Sequence, residues 1–293
     1  MLKPEEELQQ PKKDISYYSK DQIECPVCTT KFKREELYSG GGRLIAGDLT
    51  DELRRLYEPS AKYGEIHPLI YNMTVCPKCL YAGFTQDFRI VDRHTAEKLL
   101  ETMNDRFTAV NRLFGHVNFN TNRRIHEGAA SYYLALLCYD AFDTKFSPTI
   151  KQAICALRAA WLFTTLGEKE PEENYSYIAQ LFYQKALFLY RRALELETTG
   201  QEMIAGLKSF GPDVDKNYGY DGVIYLGALL EYRYGQKRDP DVRQKRLEMH
   251  KIALAKLFGL GKSSKNKPGP ILEHARALYD GLKAELHETD DDD

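Results

Sequence analysis

The sequence lacks long hydrophobic runs and a strong net charge. No apolar stretch approaches the roughly 20 residues that a membrane-spanning helix needs, so we expect no membrane segment. The formal net charge is only −2, which removes the overall basic field with which many proteins attract nucleic acids. Residues 1–13 are polar and rich in Glu, Gln and Pro. They do not resemble a secretory signal, and we therefore expect a cytoplasmic protein.

Recognisable catalytic patterns are also missing. We find no nucleophile–base pair, no glycine-rich nucleotide fingerprint and no metal shell with an open position. This favours binding over catalysis, and we expect that the protein is not an enzyme. The length of 293 residues and the hydrophobic fraction of 43% are sufficient for about two domains and a substantial core.

What the chain does contain is a pair of similar cysteine motifs. They are Cys25-Pro26-Val27-Cys28 and Cys76-Pro77-Lys78-Cys79. In each motif one turn points both sulfurs at the same ion, and the fixed φ of proline suits the first corner of that turn. Four thiolates complete a tetrahedral shell, which predicts one structural Zn²⁺ site formed by Cys25, Cys28, Cys76 and Cys79. Iron in a rubredoxin-like shell is the alternative, because four thiolates do not by themselves distinguish the two metals.

The remaining cysteines and His67 receive structural interpretations. Cys138 and Cys155 lie singly in apolar helical runs, which is typical of small buried side chains. His67 lies near the second motif, but a four-thiolate shell needs no further ligand. A redox dithiol would need a helix that opens at the second cysteine, whereas residues 29–32 have a strand-like pattern.

The order of patterns along the chain predicts four segments. They are a flexible arm at residues 1–19, a zinc-ribbon-like head at 20–92, a helical domain at 93–288 and an acidic tail at 289–293. Within the head, apolar residues at helical spacing over residues 47–57 predict a helical insertion between the cysteine motifs. The predicted fold class is therefore mainly α, with a small zinc-ribbon-like head followed by a tetratricopeptide-like helical array.

Two spacings recur in the helical domain. The pattern Tyr132-X2-Ala135-Leu136-X2-Tyr139 returns as Tyr225-X2-Ala228-Leu229-X2-Tyr232, and the small–large–small pattern of residues 153–160 returns at 179–186. Such spacings are typical of the two halves of a tetratricopeptide repeat. A non-repeat helical bundle with alanine at close crossings is the alternative. In either case we expect the helical domain to have an apolar core of its own.

The head resembles an uncharacterised family of bacterial proteins. The family signature stands here as Tyr71…Val75-Cys76-Pro77-Lys78-Cys79-Leu80-Tyr81-Ala82…Asp87-Phe88. The family usually has Gly after the second cysteine of each motif, where this chain has Thr29 and Leu80. The resemblance covers the head well and the helical domain loosely. It implies a zinc-ribbon-like head joined to a tetratricopeptide-like tail, and it brings no known activity.

These observations favour a zinc-binding adaptor or scaffold whose helical array binds a protein partner. Candidate groove residues are the charged groups Arg158, Lys185, Arg191 and Arg192, although a charge on a helix more often marks a solvated face. The alternative is a nucleic-acid-binding zinc ribbon. In that hypothesis aromatic side chains of the head stack on bases beside its lysines and arginines, and they are Phe32, Tyr81 and Phe84.

Overall fold

The head is built from short antiparallel strands. The computed structural model describes residues 14–38, 40–204, 218–258 and 269–288. Its strands pair as β1 with β4, β2 with β3, β5 with β6, and β7 with β8. They are β1 (Ser16–Tyr18), β2 (Ile23–Glu24), β3 (Lys31–Phe32), β4 (Glu35–Leu37), β5 (Ile45–Leu49), β6 (Arg55–Glu58), β7 (Met73–Val75) and β8 (Ala82–Phe84).

Two of the predicted segments lie partly outside the described residues. Residues 1–13 of the predicted arm and residues 289–293 of the predicted tail are not described. Residues 16–18 of the arm form β1, which pairs with β4 from Ser16 opposite Leu37 to Tyr18 opposite Glu35. The head therefore begins earlier than residue 20, because this strand supplies one edge of its first sheet.

The predicted helix at residues 47–57 is wrong. This segment forms the hairpin β5–β6, with a register shift between Ala46 and Leu49. Leu49, Leu53 and Leu56 have helical spacing, but Leu53 is fully buried whereas Leu56 is 41% exposed. Leu53 has a φ of 59°, a left-handed conformation that a right-handed helix excludes. Docking of the hairpin tip on the rest of the molecule overrides the local helical pattern.

The array is a run of α-helices in which consecutive elements from α3 to α8 pack against one another, and α6 also contacts α8. This confirms the predicted fold class, mainly α with a helical array. Almost every side chain of α4 is buried, so α4 is the central helix. The helices are α1 (Arg93–Glu101), α2 (Met103–Phe114), α3 (Ile125–Tyr139), α4 (Pro148–Lys169), α5 (Tyr175–Thr198), α6 (Gly219–Tyr234), α7 (Pro240–Phe258) and α8 (Gly269–Glu288). No described helix is both long and apolar enough to cross a membrane.

The head and the array share one apolar core. A single cluster of buried side chains runs from Cys25 in the head to Leu286 in α8. Polar contacts follow the same boundary: the Tyr132 hydroxyl of α3 donates to the Leu69 carbonyl at 2.8 Å, and the Phe84 amide of β8 donates to the Tyr139 hydroxyl at 2.9 Å. The sequence predicts a separate core for the helical domain, but in the described residues its buried side chains are joined to those of the head, because α3 packs directly on β7 and β8.

Head and array approach each other closely at Gly128. A Cβ atom at this position of α3 would lie 2.4 Å from Ile70 Cγ2 and 2.7 Å from Ile70 Cβ. Ile70 belongs to the buried 3₁₀ turn Pro68–Tyr71 that precedes β7. Only glycine therefore allows α3 to come this close to the head.

We expect Gly128→Ala to lower the free energy of unfolding by about 1–3 kcal/mol, because the added methyl group forces Ile70 and its turn to move. Urea denaturation of the purified chain measures this loss. Gly269→Ala is the matched control, since nothing lies within 4 Å of a Cβ atom there. Equal losses at both positions would contradict the close contact between α3 and the head.

A buried ion cluster joins α5, α6 and α7. The Glu231 carboxylate is fully buried and lies 2.9 Å from Arg191 and 3.6 Å from Arg246. Arg243 donates to the Glu231 carbonyl at 2.6 Å. His250 lies in the same environment, and burial lowers the pKa of its imidazole to about 4, against the opposing attraction of Glu231.

We expect this histidine to contribute to acid sensitivity. Its pKa is lower in the folded state, so its contribution to stability is complete above its ordinary value of 6.5 and is lost as the pH falls towards about 4. The loss amounts to at most about 3 kcal/mol. Unfolding free energies of His250→Gln across this range should fall less steeply than those of the wild type. The control His94→Gln, at an exposed residue, should keep the wild-type slope.

Candidate functional site

Each cysteine motif lies in a turn between two paired strands. β2 and β3 flank the first motif, and β7 and β8 flank the second. Both turns have the same hydrogen bonds: the Thr29 amide donates to the Cys25 carbonyl at 2.9 Å, and the Leu80 amide donates to the Cys76 carbonyl at 3.0 Å. The two motifs are therefore two copies of one local structure.

Thr29 and Leu80 occupy strained positions in these turns. Their φ angles are 59° and 55°, in the left-handed region that disfavours residues with a side chain. These are the positions at which the family signature usually has glycine. Thr29 and Leu80 therefore raise the conformational free energy of their turns, but both turns still form the same backbone hydrogen bond.

The two turns bring all four sulfur atoms together. Cys25 Sγ lies 3.7 Å from Cys79 Sγ, and Cys28 Sγ lies 3.5 Å from Cys76 Sγ. All four sulfurs lie within 4.8 Å of one another. These distances exclude disulfide bonds, which are about 2.05 Å long. They match the spacing of about 3.8 Å between the corners of a tetrahedral shell with metal–sulfur bonds of about 2.3 Å. The four cysteines can therefore hold one metal ion.

Protons are shared unequally among these sulfurs. The pKa of Cys76 is lowered to about 2, chiefly by hydrogen bonds from Cys25 and Cys79. The pKa of Cys25 is raised to about 12, first by its hydrogen bond with Cys76, and that of Cys79 is also raised, first by its hydrogen bond with Cys25. Four thiolates in one place repel one another, so a cation is what allows all four to lose their protons.

A buried arginine supports the second turn from behind. Arg106 of α2 is 3% exposed, and its guanidinium donates to the Cys79 carbonyl at 3.0 Å and to the Leu99 carbonyl at 2.7 Å. It thereby ties the second cysteine turn to α1 and α2. Sequence reasoning missed Arg106. One signal could have identified it: Arg106 lies among apolar residues at helical spacing, which include Met103 and Phe107.

The other sequence candidates lie elsewhere. His67 is not part of the sulfur group, and its Nε2 lies 3.1 Å from Glu65. Cys138 and Cys155 are fully buried, which confirms their structural interpretation. The Cys138 sulfur accepts a hydrogen bond from the Ala82 amide at 3.4 Å, and burial raises the pKa of this thiol to about 11.

The aromatic residues proposed to stack on bases are largely inaccessible. Tyr81 is fully buried and Phe84 is 7% exposed. Tyr81 stacks on Phe88 with a centroid distance of 4.8 Å, and Phe32 packs edge-on against the same ring at 5.9 Å. The rings of Tyr81 and Phe84 are therefore inaccessible to bases, and the half-buried Phe32 ring packs against Phe88.

The proposed groove arginines and lysine are scattered. Arg158 is buried, 5.5 Å from the centroid of the Phe84 ring. Arg191 pairs with Glu231, and Arg192 pairs with Glu195 at 3.3 Å on the outer face of α5. The exposed Lys185 lies 5.8 Å from the centroid of the Phe188 ring. Lys185 and Arg192 lie on the same exposed side of α5, because they are about two helical turns apart. Arg158 and Arg191 do not join them, so the four residues do not form one groove.

A second assembly of polar groups surrounds the tip of the hairpin β5–β6. Glu52 is 8% exposed and accepts hydrogen bonds from three helices. The donors are the Trp161 indole N–H of α4, the Tyr183 hydroxyl of α5 at 3.2 Å and the Arg233 guanidinium of α6 at 3.0 Å. All three partners donate, which fits the ionised carboxylate. Burial nevertheless raises the pKa of Glu52, against the opposing effects of Trp161 and Arg233.

The neighbours of Glu52 are docked on the same face. The Asp51 carboxylate also pairs with Arg233, and the Tyr225 hydroxyl donates to the Asp51 carbonyl at 2.6 Å. Arg54 lies over the Trp161 ring, 5.7 Å from its centroid, and donates to the Trp161 carbonyl at 3.4 Å. We name residues 51–53 the acidic tip. The helical pattern predicted at residues 47–57 concealed it.

We expect the metal to be lost when one sulfur is removed. Elemental analysis of the wild type should give one metal ion per chain. Cys79→Ser should bind the ion about 100-fold more weakly or worse, and it should unfold at lower urea, because metal binding stabilises the folded turns. The control Cys155→Ala removes a buried thiol outside the site and should keep the metal. Wild-type protein without bound metal would contradict the assignment.

Comparison with known proteins identifies the family to which this chain belongs. No solved structure matches the chain. An uncharacterized protein of Borreliella burgdorferi is 44% identical over 275 residues, which cover 94% of this chain and 98% of the relative. The profile of the family described as "Uncharacterized protein conserved in bacteria (DUF2225)" matches residues 18–282, a span that includes both cysteine turns and nearly the whole array. The chain belongs to this conserved bacterial family.

Proposed function

We propose that this protein is a zinc-binding adaptor that binds a protein partner through its helical array and performs no catalysis of its own. The observation that supports the array as a binding surface is the docked acidic tip. Helices α4, α5 and α6 together hold an acidic segment that comes from another part of the chain. Stacked helices that present donors towards one segment are suited to peptide recognition.

The metal has a structural role in this proposal. Four sulfurs complete a tetrahedral shell and leave no open position for a water molecule or a substrate. Zinc is favoured over iron because a closed shell that only joins two turns needs no redox chemistry. Free thiols at all six cysteines suit a reducing compartment, which supports a cytoplasmic location.

The alternative of a nucleic-acid-binding head has less support. It requires accessible aromatic rings beside positive charge, whereas Tyr81 and Phe84 are buried. The overall charge of −2 adds no attraction for phosphates. The adaptor proposal needs neither feature.

Affinity capture with the tagged full-length chain, without cross-linking, from its native bacterium tests the proposal. We expect one or a few defined proteins to be retained through a wash of about 0.5 M salt and after nuclease treatment, since a packed protein interface is less salt-sensitive than phosphate contacts. The purified chain should also contain one zinc ion. An untagged strain is the control. Recovery of RNA or DNA that disappears at high salt would favour the alternative, and the absence of any specific protein would contradict the adaptor.

A further inference from the structure

The hairpin β5–β6 is connected to the rest of the molecule mainly by its tip. Among the described strands, β5 and β6 pair only with each other. A two-stranded hairpin alone is marginally stable in water. Its outer side chains are exposed, with Ile45 at 39% and Leu56 at 41%. Gly40, Gly41 and Gly42, all with positive φ, precede it and give the chain a pivot.

A cleft lies beneath the body of this hairpin. Its volume is about 330 Å³, and it is lined by Leu56 and Tyr57 of β6 and by Leu162 and Thr165 of α4, among others. The body of the hairpin is therefore not closely packed on α4. The hairpin forms a strap that meets the array through the acidic tip and through the adjoining Arg54, which donates to Trp161 and Thr165 of α4.

The tip itself combines backbone strain with deep burial. Leu53 is fully buried and has a φ of 59°. A left-handed conformation at a leucine is unfavourable in isolation. It persists here because the contacts of the tip with the array hold it, and a tip that leaves the array relaxes.

The residues around the tip have the chemistry of a peptide receptor. Arg233 contacts both carboxylates of the tip, and Trp161 and Tyr183 add uncharged donors to Glu52. Tyr225 donates to a main-chain carbonyl, a contact that does not depend on the side chains of the bound segment. Buried donors aimed at a carboxylate discriminate strongly against a neutral side chain, because they are left unpaired without it.

We propose that the acidic tip occupies in cis a receptor for acidic peptide segments, and that a partner protein binds the same residues in trans. The partner presents a turn with two acidic residues followed by a large apolar one, in the order Asp51, Glu52, Leu53, because the resident tip is itself a turn in which the Leu53 amide donates to the Thr50 carbonyl at 2.9 Å. This inference rests on the adaptor proposal and names the chemistry of its partner. The hairpin then acts as a built-in competitor that is displaced when the partner binds.

A labelled peptide with the sequence of residues 45–58 tests the inference. The protein is the full chain with Asp51→Asn and Glu52→Gln, which weakens the resident tip and leaves the receptor intact. Because the wild-type tip competes at high effective concentration, fluorescence anisotropy should show the peptide binding the double variant at least about tenfold more tightly than the wild type. A peptide that carries the same two neutral substitutions should not bind.

A matched pair of arginine variants locates the binding site. In the double-variant background, Arg233→Met should weaken binding of the acidic peptide at least about tenfold, because it removes the donor shared by both carboxylates. Arg192→Met makes the same charge change on the outer face of α5 and should have no effect. Equal effects of the two substitutions would overturn the assignment of the receptor.

Hydrogen exchange on the wild type gives an independent readout that does not rely on a folded variant. Excess acidic peptide should speed the exchange of the Leu53 amide, which is bonded to the Thr50 carbonyl at 2.9 Å. Unchanged exchange at millimolar peptide, or no binding to a metal-loaded double variant, would overturn the inference and leave the tip a purely structural contact. If a partner protein is captured from cells but the peptide tests fail, the adaptor proposal remains and the peptide-receptor inference is rejected.

Discussion

The meeting of four sulfur atoms constrains the position of the head and of the hairpin between the two cysteine turns. It joins a turn near residue 25 to a turn near residue 76 and leaves the intervening chain as a closed loop. The hairpin β5–β6 belongs to that loop. Closing the loop with a bound metal would limit how far the acidic tip can travel from the array, so the cysteine cluster and the docked tip are parts of one arrangement.

The second cysteine turn is the point at which head and array become one body. On one side it carries two of the sulfurs, and on the other its backbone receives Arg106 from α2 and lies against Cys138 of α3. The strand pair β7–β8 and its turn thus connect the sulfur cluster to α1, α2 and α3.

The sequence was most informative where chemistry forces a spacing. Two thiols on one turn have few other uses, so the meeting of the four cysteines and the run of helices were predicted correctly. The sequence was least informative where distant parts meet. Leu53 has helical spacing with Leu49 and Leu56, but helices from a distant part of the chain decide its conformation. Its neighbour Glu52 bonds to Trp161, which is 109 residues further along the chain. Arg106 and Gly128 likewise have roles that only the packed neighbours reveal.

Trp161 is the single tryptophan of the chain, and it lies at the centre of the docked acidic tip. Its indole N–H bonds to Glu52, and the Arg54 guanidinium lies over its ring. The wavelength and intensity of indole emission depend on neighbouring charges and on access of water to the ring. The protein thus carries an intrinsic optical probe at one defined location, so its native fluorescence reports the state of the hairpin without any added label.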